Sequence, residues 1–158
     1  MLAGSIFALG VTVRFLHFPD SVFFIGDIAR DIMAGELIAK LGMSSLLGHW
    51  NSGLGTYYPP YYYYFLSLLH FVFWNNPTHV LAMLVLIASA EIILMYGILK
   101  KIVSFQVAVM GTFLYAISSE LILIARSPLS AHMSIPIFLL SVYFLSNGSI
   151  LKKIHFYF

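Results

Sequence analysis

The chain has 158 residues, of which 61% are hydrophobic and only 9% charged, and its mean hydropathy is +0.94. Soluble domains carry about 25% charged residues, so on this reading a water-soluble globule is excluded. Eight Lys/Arg against six Asp/Glu leave no basic patch or stripe for nucleic acid, and the absence of cysteine excludes a disulfide framework or a thiolate metal site.

Ten tyrosines and fourteen phenylalanines suit a membrane protein rich in interfacial aromatics. The first apolar stretch, residues 1–18, reaches the lower limit of a span only with Arg14 and His17 at its polar end. No Lys or Arg precedes it and no small-residue cleavage site follows, so a signal peptide is not expected. Residues 19–57 form the one long polar segment, with Asp20, Asp27, Arg30, Asp31, Glu36 and Lys40. Pro19-Asp20 breaks the first helix, and Gly26-Asp27 predicts a new helix over 27–41 with Asp27 as N-cap. On that helix Asp27, Arg30 and Asp31 share one face, and Ala29, Met33 and Leu37 share another. Gly48 to Thr56 then reads as a glycine-rich loop.

Residues 60–74 are short for a span and open with a tyrosine cluster, which predicts a juxtamembrane or re-entrant helix. Residues 79–99 and 104–125 are long enough to cross, with Lys100-Lys101 between them. Residues 133–151 make a last apolar run before Lys152-Lys153. The fold class expected is an all-α integral membrane protein, multi-pass, with about four transmembrane helices plus amphipathic and juxtamembrane helices. If 60–74 does not cross, four spans place both Lys pairs inside and the 19–78 loop outside. If it crosses, five spans place seven of the eight basic residues inside. Counting Lys and Arg favours five; span length and the tyrosine cluster favour four.

Two carboxylates flanking an arginine in "GDIARD" (Gly26 to Asp31) could hold a divalent metal or a lipid phosphate, and Asp27 could take a proton from a hydroxyl nucleophile. The plainer reading is a capped helix with a solvated charged face. Arg126, at a span end, suits either a bidentate phosphate clamp or a snorkelling anchor. Glu91 and Glu120 fall within apolar runs, where carboxylates are expensive; they are candidates for a functional role or for hydrogen bonds between helices. The six histidines show no metal-ligand spacing.

Taken in order, "VRFLHFPD" (Val13 to Asp20), "GDIARD", "YYPPYYYYF" (Tyr57 to Phe65) and "ARSPLSAHMSIP" (Ala125 to Pro136) resemble the membrane-embedded glycosyltransferases of the GT-C superfamily. The closest likeness is to the branch of protein mannosyltransferases and aminoarabinose transferases. The resemblance covers nearly the whole chain and implies four spans, in a prokaryotic plasma membrane. It implies that Asp27 is the catalytic first-loop aspartate, activating the acceptor or binding a divalent metal. Arg30, Asp31, Tyr57 and Arg126 would line the substrate pocket. The donor would be a polyprenyl-phosphate-linked sugar drawn from the membrane lipid, and the acceptor a lipid, glycan or protein. Ile28 replaces the second acid many members carry after the aspartate, and Ser127 to Pro136 contains no acid. Family members are several times longer, so the chain is expected to be an N-terminal fragment. The competing expectation is a small non-enzymatic four-span membrane protein, such as a flippase accessory for lipid-linked sugars. A buried-acid transporter fragment, resting on Glu91 and Glu120, is the weaker third.

Overall fold

A computed structural model describes residues 2–22, 25–42, 47–48, 50–51, 53 and 55–147. Among them the chain is all-α apart from one two-residue ladder. The helices are α1 (Leu2–Phe15), α2 (Gly26–Leu41), α3 (Tyr61–Val72), α4 (Pro77–Ser89), α5 (Glu91–Ile102), α6 (Phe105–Ile117), α7 (Ser119–Ala125) and α8 (Ser134–Asn147). The expected helices over 27–41 and 60–74 are therefore present, each within a residue or two of its expected ends. The tail of the expected last run, residues 148–151, lies outside the described residues.

The residues form two compact units, Met1–Val22 with Leu84–Phe158, and Phe23–Met83. In the first, α6 presents a stripe of small buried residues, Ala108, Thr112 and Ala116. Small side chains let helix backbones approach closely, and Gly10 of α1 packs there, where an added Cβ would lie 3.3 Å from the Ala116 methyl. The Thr112 hydroxyl donates to the Ala108 carbonyl at 2.7 Å, so the stripe carries no unmet donor of its own. Leu2 to Leu9 lie beside Val109 to Phe113, whereas Arg14 reaches the Ala116 carbonyl. Contacts that climb both helices together mean that α1 and α6 run parallel.

Helix α5 pairs with α6 as an antiparallel hairpin, Glu91 opposite Tyr115 and Leu99 opposite Gly111. It runs parallel to α8, whose Tyr143 ring fills the space left by Gly97. At the end of α5, Lys101 Nζ sits 3.7 Å over the Tyr143 ring and donates to Ser146 Oγ at 2.8 Å. This cation–π contact and hydrogen bond tie the two C-terminal ends together.

Helices α4 and α5 continue into one another as a 26-residue apolar helix, Pro77–Ile102. At 1.5 Å per residue such a helix is about 39 Å long, enough for a bilayer core of about 30 Å. Helices α6 and α7 meet that test only together, and they bend by 58° at Ser118. The expected span over 104–125 is thus a broken helix. Helices α1 and α8 are apolar but shorter. By length and composition one helix can cross a membrane, or two if the bent pair counts as one.

In the second unit α2 and α3 pack side by side and parallel: Arg30 and Asp31 lie by Tyr63, Gly35 by Leu66, and Ile32 by His70. Parallel packing requires the connection to travel back along the whole helix pair. Gly42 stops α2 in the left-handed conformation (φ 64°), a geometry glycine adopts without penalty, and its N–H donates to the Ile38 carbonyl at 3.0 Å. The returning segment holds the ladder, Trp50 opposite Tyr57 and Asn51 opposite Thr56, extended by Gly48 N–H donating to the Tyr58 carbonyl at 2.8 Å.

The face that α2 buries is Ile28, Asp31, Ile32 and Gly35, while Met33 and Leu37 are 60% and 52% exposed. The expected apolar face, with Met33 and Leu37, is therefore not the packed one, and Asp31 from the charged face is buried instead. Asp27 is also not the N-cap. The helix starts one residue earlier, Ile25 holds the cap position with no side-chain hydrogen bond, and Asp27 lies inside the first turn.

Candidate functional site

The acidic end of α2 is organised by one guanidinium. Arg30 Nη1 donates to Asp27 Oδ1 at 2.7 Å, and its Nε and Nη2 donate to Asp31 Oδ1 at 2.9 and 2.8 Å. Spacing of three places Asp27 and Arg30 one turn apart on the same side of the helix. The two carboxylates differ in setting: the Asp27 side chain is 61% exposed and that of Asp31 only 2%. Asp31 is therefore a buried anchor for Arg30, and Asp27 is the carboxylate that meets the surroundings. It also sits in the first turn of α2, where the helix dipole favours negative charge.

Tyr63, buried on α3, completes the cluster against Arg30 and Asp31. Burial pushes its hydroxyl pKa up and Asp31 adds to that, with Arg30 opposing. Burial likewise pushes Tyr62 up, again reinforced by Asp31, so both phenols stay protonated donors. For Arg30, burial works against the charge, but the hydrogen bond and the charge of Asp31 outweigh it and raise the pKa. Further along, Lys40 donates to Glu36 and holds its carboxyl below the ordinary value. His70 is fully buried, which lowers its pKa against the opposing pull of Glu36 and the Ile32 carbonyl.

Tyr57 is half exposed in the ladder, its ring edge-on to Trp50 at 4.9 Å. Arg126 belongs to the other unit. Its Nε donates to the Arg14 carbonyl at 3.1 Å, and its Nη2 to the Val13 and Leu16 carbonyls at 2.6 and 3.2 Å. Val13 and Arg14 lie in the last turn of α1 and Leu16 directly follows it, where carbonyls have no later helical N–H to accept from. Arg126 is thus a C-terminal cap for a helix 112 residues away in sequence. Glu120 is exposed on α7. Among the described residues no three His, Cys, Asp or Glu side chains come together as a metal site.

Sequence reasoning missed Arg14. Placed at the polar end of the first run, it is fully buried, and its Nη1 donates to the Gly10 and Ala116 carbonyls at 3.2 and 3.1 Å. Glu91, a candidate from sequence, is 3% exposed and accepts a hydrogen bond from the Tyr115 hydroxyl at 2.7 Å. No family model, curated protein or solved structure matches this chain.

Proposed function

We propose that the chain is the N-terminal part of a membrane-embedded glycosyltransferase that moves a sugar from a polyprenyl-phosphate donor to a lipid, glycan or protein at the extracytoplasmic face. The observation that carries this reading is the Asp27–Arg30–Asp31 cluster. Asp27 is an exposed carboxylate in a helix first turn, oriented by an arginine that is itself fixed by a buried partner. In the proposed role Asp27 accepts the proton of the acceptor hydroxyl as the bond to the sugar breaks. Arg30 then has its remaining N–H groups for the departing phosphate.

The helix directions support the topology that goes with it. Parallel α1 and α6 require an odd number of crossings between them; in this reading Pro77–Ile102 is that crossing and α3 does not cross. Helix α8, parallel to α5, then returns in the same sense as the long helix. In this reading α1, Pro77–Ile102, the bent α6–α7 pair and α8 are the four spans.

A second reading, the small non-enzymatic membrane protein, draws on two of the same contacts. Arg30 is neutralised by its own neighbours, and Arg126 is spent on capping α1. The two readings separate by assay of the intact gene product in membranes, supplied with a polyprenyl-phosphate-linked sugar. Transfer that falls about 10²–10⁴-fold on Asp27→Asn, the worth of a general base, is expected. Absence of transfer from every donor of this class, or an Asp27→Asn protein of full activity, overturns the catalytic assignment.

A further inference from the structure

In the first unit three helices each bring a polar side chain to one buried place: Arg14 from α1, Glu91 from α5 and Tyr115 from α6. The contacts between them fix the neighbourhood. Arg14 Nη1 lies against the Ala116 carbonyl, next in sequence to Tyr115, whose hydroxyl donates to Glu91 Oε2 at 2.7 Å. Gly10 and Ile92 close the same spot, because a Cβ on Gly10 would clash with the Ile92 Cδ1 and lie 3.2 Å from Arg14 Nη1. Glycine at position 10 makes room for the guanidinium.

Arg14 and Glu91 are 0% and 3% exposed, yet no ion pair within 4.0 Å joins them among the described residues. Arg14 Nε and Nη2 and Glu91 Oε1 find no hydrogen-bond partner among the described residues. The unmet groups are three N–H donors on one side and one carboxylate oxygen on the other. Opposite buried charges left this way are strongly unfavourable unless something polar joins them. An anion is unsuited, since Glu91 would repel it, and a bare cation is unsuited for the same reason at Arg14. A molecule that accepts from the guanidinium and donates to the carboxylate is suited to both. Water does this with the two to four partners a buried water needs.

We propose that Arg14 and Glu91 flank an internal water-binding site, and that the Glu91 carboxyl there carries an exchangeable proton. Glu91 Oε1 releases its proton to bulk solvent, and regains one from it, by relay through the bridging water, which itself stays neutral, while Tyr115 holds Oε2. The site alternates between Arg14 with ionised Glu91 and Arg14 with protonated Glu91, and no other group changes charge. The other charged or titratable groups coupled to it are Arg126, which acts on Arg14, and His132, which acts on Glu91. Arg14, Glu91 and Tyr115 all belong to one unit, and the site is independent of sugar transfer.

The test is infrared difference spectroscopy on the full chain in detergent, titrated with pH. Expected is a carboxylic C=O band that titrates as a single group, is absent from Glu91→Gln, and shifts on exchange into D₂O. The titration of the band should change in Arg14→Met, because the nearby cation is gone. Should Arg14→Met fail to fold, Tyr115→Phe removes one hydroxyl and should shift the band frequency. A Glu91 band that does not respond to pH, or one indifferent to both Arg14 and Tyr115 substitutions, overturns the proposal.

Discussion

Replacing Gly35 by alanine tests the α2–α3 packing that holds the acidic cluster together. An alanine Cβ there would sit 2.5 Å from Leu66 Cβ, 3.1 Å from the Leu66 carbonyl carbon and 3.2 Å from the Ser67 nitrogen. Carbon atoms rest at about 3.5–4.0 Å, so the helices must part by roughly 1 Å. The clash is with backbone and with the root of a fully buried side chain, so no rotamer change relieves it. Overpacking of this kind costs about 1–3 kcal/mol, partly offset by about 1 kcal/mol from alanine's higher helix propensity. Gly4→Ala in α1 is the matched control, because nothing lies within 4 Å of its added Cβ. Propensity cancels between the two variants, and their difference isolates the overpacking, again about 1–3 kcal/mol. Denaturant titration of the full chain in detergent micelles, followed by far-UV circular dichroism, measures both. Gly35→Ala as stable as Gly4→Ala would show that α2 does not press on α3 at Gly35, and the Arg30–Tyr63 alignment would lose its basis.

His70 should make the protein acid-sensitive. Its folded pKa lies below the unfolded value of about 6.5, so the unfolded state binds more protons and stability falls as pH drops through 6.5 and below. Unfolding midpoints at successive pH values should show this in the wild type and far less in His70→Gln, and equal slopes would refute it. Arg126→Gln should destabilise by about 1.5–3 kcal/mol, the value of hydrogen bonds from a charged group, since the Val13, Arg14 and Leu16 carbonyls lose the guanidinium. An unchanged unfolding midpoint would return Arg126 to a ligand-binding role. For topology, the chain has no cysteine, so Thr56→Cys and Ser104→Cys each supply a single thiol. In intact cells an impermeant reagent should label position 56 and spare 104; the reverse pattern would invert the proposed orientation.

Much of this architecture is legible in the sequence because helices are local. Pro19 and Gly42 interrupt them, Asn75-Asn76-Pro77 separates α3 from α4, and periodicity marks where two faces of α2 differ. Local signals also placed Asp27, Arg30 and Asp31 on one side, because three- and four-residue spacing alone puts them there. What periodicity does not contain is which face meets a partner. The apolar positions Met33 and Leu37 are exposed, and Asp31 is buried, because α3 arrives parallel and offers Tyr63 where a carboxylate is held by Arg30. Arg14 and Arg126 show the same limit over longer distances. Their hydrogen bonds reach 102 to 113 residues along the chain, to carbonyls left open by α6 and α1. A side chain's charge is written in the sequence, but the dielectric around it and the acceptor it meets are made by whichever helices close over it.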